Sequence, residues 1–471
     1  MDKINSIISD IDSFVWGVPL IALIVFCGIY LSIRIGFIQI KKLGLALKYM
    51  FKSEQEGEGE VSSFAALCTA LSATVGTGNI VGVATAMAAG GPGALFWMEI
   101  AAFFGMATKY AEGLLAIRYR VKDKNGNILG GPFYYIENGL GKKWKWLGKM
   151  FAFFGLFAGL LGIGTMTQIN GITSAFNGFF DPDQSSTVGF LDFFGSKVTI
   201  TTVISGAVIT LLAALILIGG IQRIASVSQL VVPAMIVLYI GCCFLIILTH
   251  LTAIPSAVVT IVKGAFGLRP IAGGAAGFSM MMLSMRNGVA RGVFSNEAGL
   301  GSAPIAAAAA RTKDPVRQGL VTMTGTFIDT ILVCTMTGLS IVIAQSYNKG
   351  LEGVAITTDA FKYGLPFPEK VSAFILMICL SVFAFTTILG WNYYSERCLS
   401  YLTGSNKTIT TVYKWVYIFA VFIGPYLTVE AVWNIADIFN GLMALPNIIA
   451  LIALSDVIAT QTKEKFKRRE V

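Results

Sequence analysis

Ser72-Ala73-Thr74-Val75-Gly76-Thr77-Gly78-Asn79 interrupts one otherwise apolar segment, and Gly273-Gly274-Ala275-Ala276-Gly277-Phe278-Ser279 interrupts another. A bilayer core tolerates backbone that is not bonded to itself only where it is buried in protein or lines a cavity. A matched pair of glycine-interrupted segments in the two halves of a membrane chain points to a solute site between them. The reading of the chain turns on whether these two runs correspond.

Composition sets the frame. Of 471 residues, 55% are hydrophobic and 13% charged, with a mean hydropathy of +0.73. A soluble chain carries about 25% charged residues. Apolar runs of membrane-spanning length recur from end to end, at about 15–36, 63–89, 94–117, 150–176, 198–219, 225–249, 272–295, 317–344, 370–395, 410–427 and 433–458. The first is too long for a signal-peptide core and has no small-residue cleavage pattern after it, so no cleavable leader is expected. The chain reads as an all-α, polytopic membrane protein of about eleven spans.

The net charge of +9 reflects topology. With the N-terminus outside, the Lys and Arg residues gather on the inner side, at Arg34–Lys52, Lys109–Lys149, Arg286–Arg317, Arg397–Lys414 and Lys463–Arg469, while acids such as Asp181, Asp183 and Asp192 mark the outer loops. This is the positive-inside distribution of a cell-membrane protein with a cytoplasmic C-terminus. No nucleic-acid partner is expected. The seven cysteines lie in or beside apolar segments without metal-ligand spacing, and His250 is the one histidine. That speaks against zinc chemistry and a Ser/His/acid site; neither an enzyme nor a bound cofactor is expected.

No linker separates soluble domains, so residues 1–471 read as a single membrane transport domain. After the leading helix, ten spans divide five and five, at 63–249 and 272–458. An odd number per half reverses the second half, which makes the repeat inverted. Each half then opens with a glycine-bearing segment. The basic, apolar stretch Gln39–Lys52 has the spacing of a helix lying on the inner membrane surface.

Breaking a helix at mid-membrane exposes amides in one direction and carbonyls in the other. The amide end suits a carboxylate and the carbonyl end an ammonium or a sodium ion. Thr77 and Gly78 would offer amides to a carboxylate, and carbonyls near Ala73, Thr74, Gly277 and Phe278 would take an amine. Thr386-Thr387 has hydroxyls suited to a hard cation, although a threonine inside a span also bonds its own helix backbone. Gln168 is costly to bury and needs a partner in a pocket or on another helix. The glycines equally suit close helix packing. Gly76–Gly82 misses the dinucleotide spacing, because Val81 stands where the third glycine belongs. Asp329, Glu99, Arg286, Arg291 and Glu297 are intramembrane charges, read as a structural or gating network. Met280–Met282 reads as core packing.

Several runs are familiar. Gly76-Thr77-Gly78-Asn79-Ile80-Val81-Gly82 followed by Gly90-Gly91-Pro92-Gly93, the stretch Gly288–Pro304, and Trp433–Asp437 with Asn440–Asn447 resemble the alanine or glycine:cation symporter family. The resemblance covers about 12–460 and implies a leucine-transporter-type fold with one extra leading helix. It also implies import of alanine or glycine coupled to sodium as co-transported substrate, less often to protons. It places Thr74, Thr77, Gly78, Asn79, Gln168 and Trp391 at substrate positions. By analogy with the wider fold, the carbonyls of Ser72 and Val75 and the hydroxyls of Thr386 and Thr387 would hold sodium. Glu99 departs from the family pattern, which has a tryptophan there. The expectation is alternating-access symport. A passive channel is the rival reading, and oligomeric state is left open.

Overall fold

The computed structural model describes residues 2–52, 57–123, 126, 128–188, 198–267, 274–427 and 429–467. It is helical throughout apart from a two-stranded hairpin, Val121–Lys122 with Ile128–Leu129. The helices that position the site are α1 (Val18–Arg34), α2 (Ile38–Lys41), α3 (Ser63–Thr74), α4 (Val83–Gly90), α5 (Gly93–Arg118), α6 (Lys145–Leu161), α7 (Met166–Phe180), α8 (Ile200–Leu217) and α9 (Gly220–Thr249). They continue as α10 (Gly274–Asn296), α11 (Ala303–Ala307), α12 (Pro315–Thr326), α13 (Thr335–Ile343), α14 (Glu369–Thr403), α15 (Lys407–Ile423), α16 (Val429–Ala453) and α17 (Ser455–Lys467). Among the described residues nine helices are long and apolar enough to cross a membrane, or ten with the bent pair α3–α4 counted as one. The segment expected at 272–295 is the helix α10, which is not among them.

The first expected break is present. Ser62 caps α3 by accepting from the Ala65 amide at 3.1 Å, and the helix stops at Thr74. Val75 turns extended, and a π-helical stretch, Gly78–Gly82, leads into α4 at a bend of 52°. Glycine permits this because at Gly76 a Cβ would stand 2.5 Å from Thr387 Oγ1 and 2.9 Å from Gln168 Oε1.

The second expected break is misplaced. Gly273 lies outside the described residues, but Gly274–Asn296 is one uninterrupted helix. The chain breaks instead after Asn296, where Glu297, Gly299 and Gly301 take φ of 55°, 91° and 82° before Pro304 opens α11. Gly277 and Phe278 therefore sit at the far end of α10, and Phe278 is 61% exposed. The α10 glycines serve packing: a Cβ on Gly288 would meet the Ala94 carbonyl of α5 at 2.2 Å.

α3 begins, and α11 ends, near the face that carries Arg120 and Arg397. There the chain before α3 joins the chain after α11 through a parallel bridge, Val61 to Ala310. Arg120 donates to the carbonyls of Ala308, Ala310 and Thr312 at 2.9, 2.8 and 2.7 Å. Arg397 of α14 pairs with Glu60 at 3.6 Å. On the other side of the breaks, Arg291 of α10 pairs with Asp437 of α16 at 2.9 Å, over the Trp433 ring.

Candidate functional site between two helix breaks

Where α3 ends, the peptide groups lose their helical partners and find side chains. The Gly76 amide donates to Asn79 Oδ1 at 2.9 Å, and the Thr77 amide to Gln168 Oε1 of α7 at 3.1 Å. The Thr387 hydroxyl of α14 lies 3.3 Å from the Val75 carbonyl and 3.1 Å from the Phe383 carbonyl of its own helix, so its one proton is shared between them. Gln168 is held in turn by donating to the Ile163 carbonyl at 2.9 Å. Buried peptide groups need such partners, so α7 and α14 shape the break as much as its own sequence does. Thr77 Oγ1 is buried and has no hydrogen-bond partner among the described residues.

Asn79 carries the connection further. Its Nδ2 donates to Asp329 Oδ1 at 2.8 Å and to the Asp329 carbonyl at 3.0 Å. Ser295, at the end of α10, and Thr330 each donate to Asp329 Oδ2 at 2.8 Å. Asp329 lies in a π-helical stretch, Phe327–Cys334, which turns the carboxylate toward both breaks. Three donors surround it, which is what a buried carboxylate requires.

The second break is built around two more carboxylates. Glu297 Oε1 accepts from Trp391 Nε1 at 2.8 Å, and its Oε2 accepts from Ser302. Glu112 of α5 accepts from the Gly299 amide at 3.2 Å and from Asn447 Nδ2 at 2.7 Å. Asn447 also donates to the Gly299 carbonyl at 2.8 Å and accepts from Tyr135. Lys109 is buried one turn from Glu112. It faces a small cavity lined by Thr74, Asn296 and Thr326, of about 10 Å³. That is room for roughly one water molecule.

The structure thus brings Ala73, Thr74, Val75, Thr77, Gly78, Asn79, Gln168 and Thr387 to the first break. Gly78 packs on Ser295, and Ala73 on Gly390. Ser72 donates to the Thr69 carbonyl at 2.8 Å, and Thr386 to the Phe383 carbonyl at 2.9 Å. Each hydroxyl proton is turned into its own helix, and the oxygen lone pairs stay available. Trp391, 1% exposed, meets the second break through Glu297. Gly277 and Phe278 are not part of this assembly. Glu112 and Lys109 escaped the sequence reading. Their signal was a Lys and a Glu three residues apart inside an apolar span, with Lys109 counted among the inner-face cations although it is 2% exposed.

Comparison with known proteins places this geometry. The model of the sodium:alanine symporter family matches residues 1–470. An uncharacterized transporter of Haemophilus influenzae is 52% identical over 469 residues, 99% of this chain and 97% of its own. The sodium/alanine symporter AgcS of Methanococcus maripaludis is 44% identical over 466 residues, covering 97% and 96% of the two chains. Among solved structures, MhsT in complex with L-phenylalanine aligns at a TM-score of 0.54 and 13% identity, over 86% of this chain and 98% of the other. That likeness concerns the fold, which is of the leucine-transporter type. A helix pair broken at mid-length, a second break sealed by buried carboxylates, and a family match along the whole chain lead to one conclusion: this multi-pass membrane chain is a transporter, not an enzyme, and belongs to the sodium:alanine symporter family.

Proposed function

We propose that the chain imports alanine, with glycine as second substrate, together with sodium by alternating access. The reading rests chiefly on the first break, where Thr387 reaches the Val75 carbonyl from α14 while Gln168 holds the Thr77 amide from α7. In this reading the substrate carboxylate displaces Gln168 Oε1 from the Thr77 amide and is received there, at the Gly78 amide and at the Thr77 hydroxyl, next to Thr74 and Asn79. The amine goes to carbonyls at Ala73, Thr74 and the last turn of α10, which replaces Gly277 and Phe278. Sodium takes the Ser72 and Val75 carbonyls and the Thr386 and Thr387 hydroxyls. These are oxygen donors suited to a hard cation. The family and the named relative support the ion and the amino acid.

The N-terminus faces outside and the basic face is cytoplasmic, in the cell membrane. Residues 63–249 and 272–458 act as two inverted halves of one transport domain. Each sodium entering down the membrane potential gains about 2.3 kcal/mol per 100 mV, which supports roughly 50-fold accumulation of solute at 25 °C. Labelled alanine uptake into proteoliposomes under an inward sodium gradient, an inward proton gradient or neither tests this. Accumulation with sodium alone is the expected result. Accumulation with protons alone moves coupling to a carboxylate, a second reading for which the buried Glu112, Glu297 and Asp329 are the candidates. Equilibration without a gradient means a channel.

A further inference from the structure

The basic face holds a groove remote from both breaks. It forms where α1 ends, α2 begins and α17 crosses beneath them, and it encloses about 480 Å³. Its origin is a sharp turn. Gly36 and Phe37 both take left-handed backbone, with φ of 68° and 55°, so the chain leaves the α1 span and continues at once as α2. This puts the groove at the end of a helix long and apolar enough to cross a membrane.

Four cations line it: Arg34, Lys41, Lys42 and Lys463. Arg34 pairs with Asp456, and Lys42 lies 4.6 Å from the centre of the Phe466 ring. Lys41 and Lys463 have no ion pair among the described residues. The groove thus keeps a net positive charge at a site where three chain segments converge. Beside it, Ile33, Phe37 and Ile40 are 62%, 37% and 62% exposed. A soluble anion leaves those side chains in water. A lipid covers them with its tails while its phosphate meets the cations, and basic pockets at the membrane surface bind lipid head groups in this way.

We propose that this groove is a site for an anionic phospholipid of the bilayer. The phosphate sits among Lys41, Lys42 and Lys463, and the acyl chains run along Ile33, Phe37 and Ile40. The bound lipid braces α17 against α1 and α2. Since neither break contributes to the groove, the lipid site stands or falls apart from the transport reading.

The test uses the full-length protein, delipidated in detergent and then supplied with phosphatidylglycerol, with phosphatidylcholine or with free glycerol phosphate. Phosphatidylglycerol is expected to raise the unfolding temperature above the phosphatidylcholine value, because a ligand that binds the folded state stabilises it. The Lys41→Gln/Lys42→Gln/Lys463→Gln variant should lose that difference, and the corresponding triple arginine variant should keep it. If the triple glutamine variant does not fold, native mass spectrometry of Lys463→Gln replaces it, with fewer bound phosphatidylglycerols than wild type expected. Equal shifts from the two lipids overturn the proposal, as does an unchanged lipid count in Lys463→Gln. A shift reproduced by glycerol phosphate overturns the lipid in favour of a soluble anion.

Discussion

Asn79 and Asp329, 250 residues apart, form one hydrogen-bonded unit: Asn79 Nδ2 lies 2.8 Å from Asp329 Oδ1 while Asn79 Oδ1 caps the Gly76 amide at 2.9 Å. The carboxylate also accepts from Ser295 at the end of α10, so it links both breaks. Any rearrangement of α3–α4 against α10–α11 must pass through these bonds.

Asp329→Ala should therefore strand three donors at once. Each unsatisfied buried group costs about 1–3 kcal/mol, so a lower unfolding temperature in detergent is expected together with loss of uptake. Asp329→Asn keeps the shape and should fold better than Asp329→Ala. An Asp329→Ala protein as stable as wild type contradicts the linking role.

Gly76→Ala places a methyl carbon against Thr387 Oγ1 and Gln168 Oε1. One of those contacts at the break must give way. We expect alanine uptake to fall by roughly tenfold or more, equivalent to about 1.4 kcal/mol, with helical content unchanged by circular dichroism. Unimpaired uptake shows that the break has more slack than its geometry implies.

Thr387→Ala removes the hydroxyl that joins α14 to the Val75 carbonyl. The sodium concentration for half-maximal uptake should rise several-fold, while Thr387→Ser stays near wild type. Equal sodium dependence in all three proteins excludes Thr387 from the ion site.

Trp391→Phe deletes the donor to Glu297 Oε1 and keeps the ring. A buried carboxylate deprived of one donor destabilises the second break by about 1–3 kcal/mol, read as a lower unfolding temperature. Trp391→Ala should in addition admit larger side chains in competition assays. Wild-type selectivity in Trp391→Ala removes the tryptophan from the pocket wall.

Glu60→Gln breaks the pair with Arg397, whose members are 17% and 19% exposed. Faster hydrogen exchange at 57–62 and 308–312 is expected, since the pair helps to hold the bridge between those segments. Unchanged exchange assigns that closure to Arg120 and the Val61–Ala310 bridge alone.

Hydropathy is a local property, and it marked most of the long apolar helices and the glycine run at the first break. The peptide groups freed around Gly76 were legible there because Ser72–Asn79 breaks an apolar pattern with small and polar residues. The second break was not legible by the same rule. Gly274–Gly277 and Gly299–Gly301 both read as glycine runs, yet the first lies at the start of a continuous helix while Gly299 and Gly301 take positive φ. The difference comes from neighbours distant in sequence. Glu112 and Asn447 capture the Gly299 peptide groups, and Trp391 and Ser302 hold Glu297, so the chain leaves the helix where those partners wait. The bonding of Asp329 to Asn79 and the burial of Lys109 were decided in the same way. Apolar surface favours a bilayer one segment at a time, so the sequence by itself determined which segments form long apolar helices. A buried polar group needs a specific partner from another segment, and only the tertiary structure decided which partner it found.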